Sequence, residues 1–315
     1  MSGFTVKLPG MLTLFQDSGR NGYYHLGLTN GGALDNTAFK WANRLCGNSL
    51  NACALEVSMG GLELTAQIDT VIAVTGANMV LTINGKEQET WRTHRIIEGD
   101  TIALAYATYG IRCYFAVAGG FSITPQFGSC STVCREHVGG LNGNKLEAGD
   151  VLPCARVHHE NAQFDLMLPE KHRPIYQDHV TLRTIPSYQQ QHFSAVQQRL
   201  FYSSEYRVSE LNDRMGYRLS GQKIKSDIQG ILSEGICSGA IQIPTDGQPI
   251  VLLNDRQTIG GYPKIGAVIS SDTAKLAQLS AGQRVNFEAI SMEYAHNLYH
   301  LNSHLFEQTQ LVRCS

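Results

Sequence analysis

The chain has 315 residues, 43% of them hydrophobic, and a formal net charge of −2. That length suffices for roughly two domains of ordinary size, and the near balance of charge excludes the basic footprint of a nucleic-acid-binding protein. The start, Met1-Ser2-Gly3-Phe4-Thr5-Val6-Lys7, lacks the basic and apolar regions of a secretory signal. No apolar run approaches the roughly 18 residues of a membrane span. Eight cysteines form no CxxC pair. Reduced thiols, a cytoplasmic location and no metal site are therefore expected.

In chain order, the first polar cluster is Phe15-Gln16-Asp17-Ser18-Gly19-Arg20-Asn21-Gly22-Tyr23, followed by Gly31-Gly32-Ala33-Leu34-Asp35. Asp35 stands where a helix N-cap belongs, and Ala38, Trp41, Ala42 and Leu45 recur at helical spacing behind it. Arg44 and Gly47 suit the C-terminal end. Gly31-Gly32 thus opens onto a helix N-terminus, whose N–H groups and positive dipole end suit an anion.

Short apolar runs then alternate with Gly-rich turns: Val71–Val74, Val80–Ile83, Ile102–Tyr106 and Arg112–Val117. Asn84-Gly85 lies between two runs and supplies the positive φ of a tight hairpin. Gly139-Gly140-Leu141-Asn142-Gly143-Asn144-Lys145 looks phosphate-like but lacks the spacing and the hydroxyl of a nucleotide loop, so it reads as a turn. Pro169–Gln190 has Pro, His and charge in place of apolar periodicity and reads as the linker. Ser187 with Gln190 makes a capping box before Phe193, Val196 and Leu200, and Asp272 similarly precedes Ala274, Leu276 and Ala277. Ala240–Ile243 and Ile250–Leu253 flank a second hairpin dipeptide, Asp246-Gly247. Met292–Leu311 suits a helix. Its His296, His300 and His304 lack the carboxylate or cysteine that would complete a zinc set, so a solvated or partner-facing side is expected.

The richest segment is Asn254-Asp255-Arg256-Gln257-Thr258-Ile259-Gly260-Gly261-Tyr262-Pro263-Lys264, directly after the buried-strand pattern Ile250–Leu253. A carboxylate, a guanidinium, amides, a hydroxyl, paired glycines, a phenol and an ammonium fall together at one strand end. Paired glycines allow positive φ and close backbone approach, and the fixed charges suit an anionic or strongly polar ligand. Three short echoes run in order through the chain. Arg20-Asn21-Gly22-Tyr23 matches Arg214-Met215-Gly216-Tyr217. Glu56-x4-Gly61 matches Glu234-x4-Gly239, and Glu98–Ile102 matches Ala281–Val285. They point to two related β domains.

These two polar segments, with Val74-Thr75-Gly76-Ala77, Ala116-Val117-Ala118-Gly119-Gly120 and Ser209–Leu219, resemble the biotin-dependent carboxyltransferase-like family. That family includes the C subunit of bacterial ATP-dependent 5-oxoprolinase, the antagonist of a sporulation-kinase inhibitor, and the carboxyltransferase half of urea carboxylase. The likeness runs from about Gly10 to about Phe287. It implies a mainly β fold of two tandem cyclophilin-like barrels with a few short helices, residues 1–170 and 171–315, with a ligand site in the cleft between them. It also implies ATP-coupled opening of 5-oxoproline, with ATP and a candidate Mg²⁺ as cofactors, working with a small B-like subunit and an A-like hydrolase subunit. No nucleic-acid or membrane partner is implied.

The candidate catalytic residues are Asp255, Arg256, Lys264, Arg20 and Arg214. The candidate substrate- or nucleotide-binding residues are Asp17, Gly31, Gly32, Asp35, Gln257, Thr258, Gly260, Gly261 and Tyr262. The resemblance leaves two other classes open: a carboxyltransferase acting on a urea-like amide, and a non-catalytic antagonist of a histidine-kinase inhibitor.

Overall fold

The computed structural model describes residues 3–157, 165–228 and 230–313. The chain divides into two compact units. The first holds Met1–Asn21, Gly31–Tyr176 and Thr309–Ser315; the second holds Gly22–Asn30 and Gln177–Gln308. The sequence places the boundary at residue 170 and assigns the tail to the second domain. Contacts place it at Tyr176, give residues 22–30 to the second unit, and give the last residues to the first.

The first unit contains β1 (Gly3–Pro9), β2 (Leu12–Gln16), α1 (Asn36–Leu45), β3 (Ala54–Ser58), β4 (Leu62–Ala66), β5 (Thr70–Asn78), β6 (Leu81–Ile83), β7 (Lys86–Gln88), β8 (Thr93–Ile96), β9 (Thr101–Leu104), β10 (Tyr109–Val117), β11 (Val151–Pro153) and β12 (Leu166–Met167). Two main sheets form, in the orders β11-β1-β4-β9-β6-β7 and β2-β3-β10-β5-β8. Alternation decides the facing of β4: Leu62, Leu64 and Ala66 are buried while Glu63 and Thr65 are half-buried. β5 is buried along nearly its whole length, as its β-branched run requires. One core cluster joins side chains of both sheets, with Phe4, Phe15, Phe115 and Phe121 packed edge-on or stacked at centroid separations of 5.4–6.4 Å. Each such ring contributes roughly 1.5–3 kcal/mol by burial. Asn84 and Gly85, at φ +52° and +73°, form the hairpin between β6 and β7. α1 begins where its cap predicts, with Ala38 N donating to Asp35 Oδ1.

The second unit contains β13 (His179–Pro186), α2 (Ala195–Ser203), β14 (Tyr206–Asn212), β15 (Gly216–Gly221), β16 (Glu234–Gly235), β17 (Ala240–Gln242), β18 (Ile250–Leu252), β19 (Ile259–Gly260), β20 (Lys264–Val268), α3 (Ser270–Ala277), β21 (Arg284–Ala289) and α4 (Met292–Gln308). β22 (Val312–Arg313) belongs to the first unit and pairs there with β12. Seven strands close a barrel in the order β13-β20-β17-β18-β15-β14-β21, its last seam being the parallel pair β13–β21. The ribbon β16–β19 is a separate two-stranded piece. The chain is thus mainly β with few helices. The two units nevertheless differ in strand order: the first has only antiparallel pairs among its described strands, and no parallel seam closes it. Nor do the echoed glutamates correspond. Glu56 lies inside β3 of a five-stranded sheet, Glu234 in the short ribbon.

Three local expectations change. The helix expected from Ser187 is a 3-10 turn over Tyr188–His192 capped by Ser187, and α2 starts later, with Gln197 N donating to Ser194 Oγ. Asp272 is not a cap but lies inside α3, where Arg183 binds both of its oxygens at 2.6 and 2.7 Å. Asp246-Gly247 sits in the longer loop joining β17 to β18, because the ladder already ends at Gln242 and Ile250. No helix among the described residues is long and apolar enough to cross a membrane.

Candidate functional site

In the first unit the structure gathers Asp17, Arg20, Gly31, Gly32 and Asp35 and bonds them to neighbouring loops. Asp17 Oδ1 accepts from Ser129 Oγ and Ser131 Oγ, both at 2.6 Å, and from Gly19 N at 2.8 Å. Asp17 Oδ2 accepts from Cys130 N at 2.8 Å and Cys130 Sγ at 3.2 Å. Burial opposes ionisation of this carboxyl, but the serine and backbone donors outweigh it and hold its pKa below the ordinary aspartate value. Arg20, only 1% exposed, donates to the carbonyls of Gln126 and Ser131, both at 3.1 Å. This buried guanidinium ties down the 126–131 loop.

The segment leading into α1 is bonded internally in the same way. Gly32 N donates to Gln16 Oε1, Leu34 N to Glu56 Oε2 and Asp35 N to Tyr114 OH, at 2.7–2.9 Å. Asp35 caps the helix and accepts from Tyr176 OH at 2.8 Å. Gly31 and Gly32 do adopt positive φ, +60° and +91°, and a methyl at Gly32 would lie 3.1 Å from the Gly19 backbone. Their role is close chain packing.

In the second unit the segment after β18 behaves differently. Arg214 Nε and Nη2 donate to Asp255 Oδ2 and Oδ1 at 2.9 and 3.0 Å, a bidentate pair with side chains 6% and 9% exposed. Both oxygens of Asp255 face this guanidinium, so Asp255 anchors Arg214. Arg256 is 3% exposed. It donates to the carbonyls of Ile236 at 3.0 Å and Leu253 at 3.1 Å, to Tyr24 OH, and to Asn30 Oδ1 at 3.3 Å. It is therefore a buried strut rather than an exposed loop charge.

Lys264 meets Glu234 in an ion pair. Tyr188 OH also bonds Glu234, and Gln189 Nε2 donates to Glu234 Oε1 at 2.8 Å while Gln189 Oε1 accepts from Lys264 N at 2.9 Å. The Lys264 ammonium first, and then the Tyr188 hydroxyl, hold the Glu234 carboxyl below its ordinary range. The same carboxylate raises the Tyr188 phenol.

Gly260 and Gly261 are needed for a reason other than positive φ, which neither adopts. Gly260 lies in β19 paired to Glu234, pressed against Ile236 and Gln242. Gln257 and Tyr262 are exposed and Thr258 is half-buried, its carbonyl accepting from Ile236 N at 3.1 Å. The residues 234–236 thus link the parts: Glu234 to Lys264, Ile236 to Arg256 and Thr258. Sequence reasoning missed Glu234, Tyr188, Gln189, Tyr24 and Asn30. The Glu-x4-Gly echo marked Glu234 but gave no partner, and no periodicity marks the others.

The family profile described as carboxyltransferase domain, subdomain A and B, matches residues 26–289. The chain belongs to this carboxyltransferase domain family. It is similar to proteins named as the C subunit of 5-oxoprolinase, with 37% identity to that of Escherichia coli over 95% of both chains and 36% to that of Haemophilus influenzae over 94% of both. It is also 28% identical to the urea amidolyase of Saccharomyces cerevisiae, covering 93% of this chain and 17% of that protein. Among solved structures, the Kluyveromyces lactis urea carboxylase aligns with a TM-score of 0.90 at 25% identity, over 99% of this chain and 30% of that one.

Proposed function

We propose that this chain is one subunit of a complex that opens 5-oxoproline to glutamate at the cost of ATP, acting with a small B-like subunit and an A-like hydrolase subunit. The observation that carries this reading is the Lys264–Glu234 site beside Gln189 and Tyr188, built on the ribbon β16–β19 of a chain similar over its length to the C subunit of 5-oxoprolinase. A lactam is a poor electrophile because nitrogen donates into the carbonyl. Transfer of the γ-phosphoryl group to the lactam oxygen, with release of ADP, makes the ring carbon attackable by water. The C–N bond then opens as phosphate leaves. Such chemistry depends on positioning and on cations near the developing charge.

The donor set of this chain fits the lactam and its carboxylate better than a triphosphate. The backbone N–H groups of Gly32, Leu34 and Asp35, ahead of α1, are taken by Gln16, Glu56 and Tyr114, Arg20 is clamped to carbonyls, and Asp255 is bonded to Arg214. We therefore assign ATP and Mg²⁺ to a partner subunit, with the Lys264–Glu234 pair as the polar group that this chain offers to substrate.

The test is reconstitution. The purified chain should release no glutamate from 5-oxoproline and ATP, and turnover should appear when both partner subunits are added. Turnover by the chain alone, or none in the full complex, overturns the reading. A second reading, carboxyl transfer from carboxybiotin to a urea-like amide, is favoured by the family profile and by the likeness to urea carboxylase. Labelled CO₂ transfer from carboxybiotin to urea, with no ATP-dependent glutamate release, would select it.

A further inference from the structure

The two sheets of the first unit end on β7 and β8, and residues of both strands line a cavity of about 400 Å³. That volume falls within the roughly 300–1,000 Å³ of small-molecule sites. Among the described residues its wall carries the cations Lys86, Arg92 and Arg95 and a single carboxylate, Asp165. Asp165 is taken by Arg95, whose Nη2 donates to it at 2.8 Å. The other two cations are open. Arg92 stands 4.0 Å from Glu89, beyond hydrogen-bond range, while Glu89 accepts from Arg173 Nη2 at 2.7 Å. Arg92 Nε is buried and meets no acceptor among the described residues, and the side chain as a whole is 29% exposed. Lys86 is exposed, and no carboxylate of the described residues pairs with it. His94 lines the cavity without adding charge: burial lowers its pKa, and its Nε2 meets the Glu89 carbonyl at 2.7 Å. Charged side chains commonly block pairing at sheet edges. These also wall a cavity, and two of them lack a carboxylate in bonding range.

We propose that this cavity binds a phosphate group, free or on a small molecule, between the Arg92 guanidinium and the Lys86 ammonium. The site lies within the first unit and does not depend on the function proposed above. Charge decides the class of ligand. The wall has a surplus of two positive charges, and a phosphate group carries roughly −1.5 to −2 near neutral pH, whereas a carboxylate would neutralise only half of that surplus. A guanidinium offers a planar fork of donors and an ammonium a mobile point charge, a pair suited to a tetrahedral dianion. The ligand meets the terminal nitrogens of Arg92, since Nε itself is buried. Binding there joins the edge of one sheet to the edge of the other.

The experiment is a phosphorus NMR titration of the purified chain with inorganic phosphate and with glycerol phosphate, at constant chloride. Binding to the wild type should be saturable. Arg92→Gln and Lys86→Gln should each weaken it more than about tenfold, the loss expected when a hydrogen bond to a charged group is removed. Arg199→Gln, at an exposed position of α2 in the second unit, should leave it within about twofold. Sulfate should displace the bound phosphate, and acetate at the same concentration should not. Lys86 is exposed, so Lys86→Gln should keep the wild-type melting temperature and separates lost binding from lost structure. Tighter binding of glycerol phosphate than of inorganic phosphate supports a phosphate ester as the ligand. Equal or weaker binding supports free phosphate. The proposal is overturned if neither ligand binds saturably, if either variant retains wild-type affinity, or if acetate competes as well as sulfate.

Discussion

Asp255→Ala tests whether the richest loop of the chain is held by its buried ion pair. Arg214 and Asp255 are joined by two hydrogen bonds of 2.9 and 3.0 Å, with side chains only 6% and 9% exposed. Two unit charges roughly 4 Å apart attract by about 4 kcal/mol at an effective dielectric constant near 20. Removing two ions from water costs several kcal/mol each, so the intact pair contributes little net stability. Breaking it is another matter: truncating Asp255 leaves the Arg214 guanidinium buried and deprived of this carboxylate. The expected loss is about 3–5 kcal/mol. Replacing both residues, as Arg214→Met with Asp255→Ala, should recover most of that loss because no charge is then stranded. Urea unfolding followed by circular dichroism, on the wild type, both single variants and the double variant, gives the four values of the cycle. A loss below about 1 kcal/mol for Asp255→Ala, or a double variant no better than the single, refutes the reasoning.

Arg256→Ala should lower the melting temperature as well as turnover. Its guanidinium bonds the carbonyls of Ile236 and Leu253, and Arg256→Lys should restore only part because one ammonium cannot replace the fork. Asp17→Asn should flatten the acid limb of stability in the first unit. The Asp17 pKa is depressed on folding, so its contribution is full above the unfolded value near 3.8 and is lost as pH falls through the folded one. Thermal melts between neutral pH and about pH 2 would show the wild type losing stability more steeply than the variant. Gly32→Ala should cost roughly 1–3 kcal/mol, since its φ of +91° and the Gly19 backbone 3.1 Å away leave no relaxed place for a methyl. His300→Ala, on the exposed face of α4 beside His296, should change stability by less than about 0.5 kcal/mol and the rate of the complex not at all.

Local chemistry in the sequence determined much of this protein. The cap at Asp35, the hairpin at Asn84-Gly85 and the buried run at Ile250–Leu252 each follow from a few neighbouring residues, because capping, φ preference and strand burial act over short spans. The polar density of the loop from Asn254 to Lys264 is legible for the same reason: its groups lie together in the chain. Their roles were not legible, because a charge is defined by what it meets, and the partners come from far along the sequence. Arg256 reads as a loop cation, yet Ile236 and Leu253 carbonyls and residues of the 22–30 segment bury it. Asp17 reads as a binding and Arg20 as a catalytic candidate, and the structure bonds both to the 126–131 loop. Glu234 and Gln242 carry no local signal of what they meet. Only the pairing of β16 with β19 and of β17 with β20 brings them to Lys264 and Gly260. The barrel's parallel seam is likewise a tertiary choice, since the pairing of β13 with β21 joins residues about a hundred apart that no short-range pattern relates.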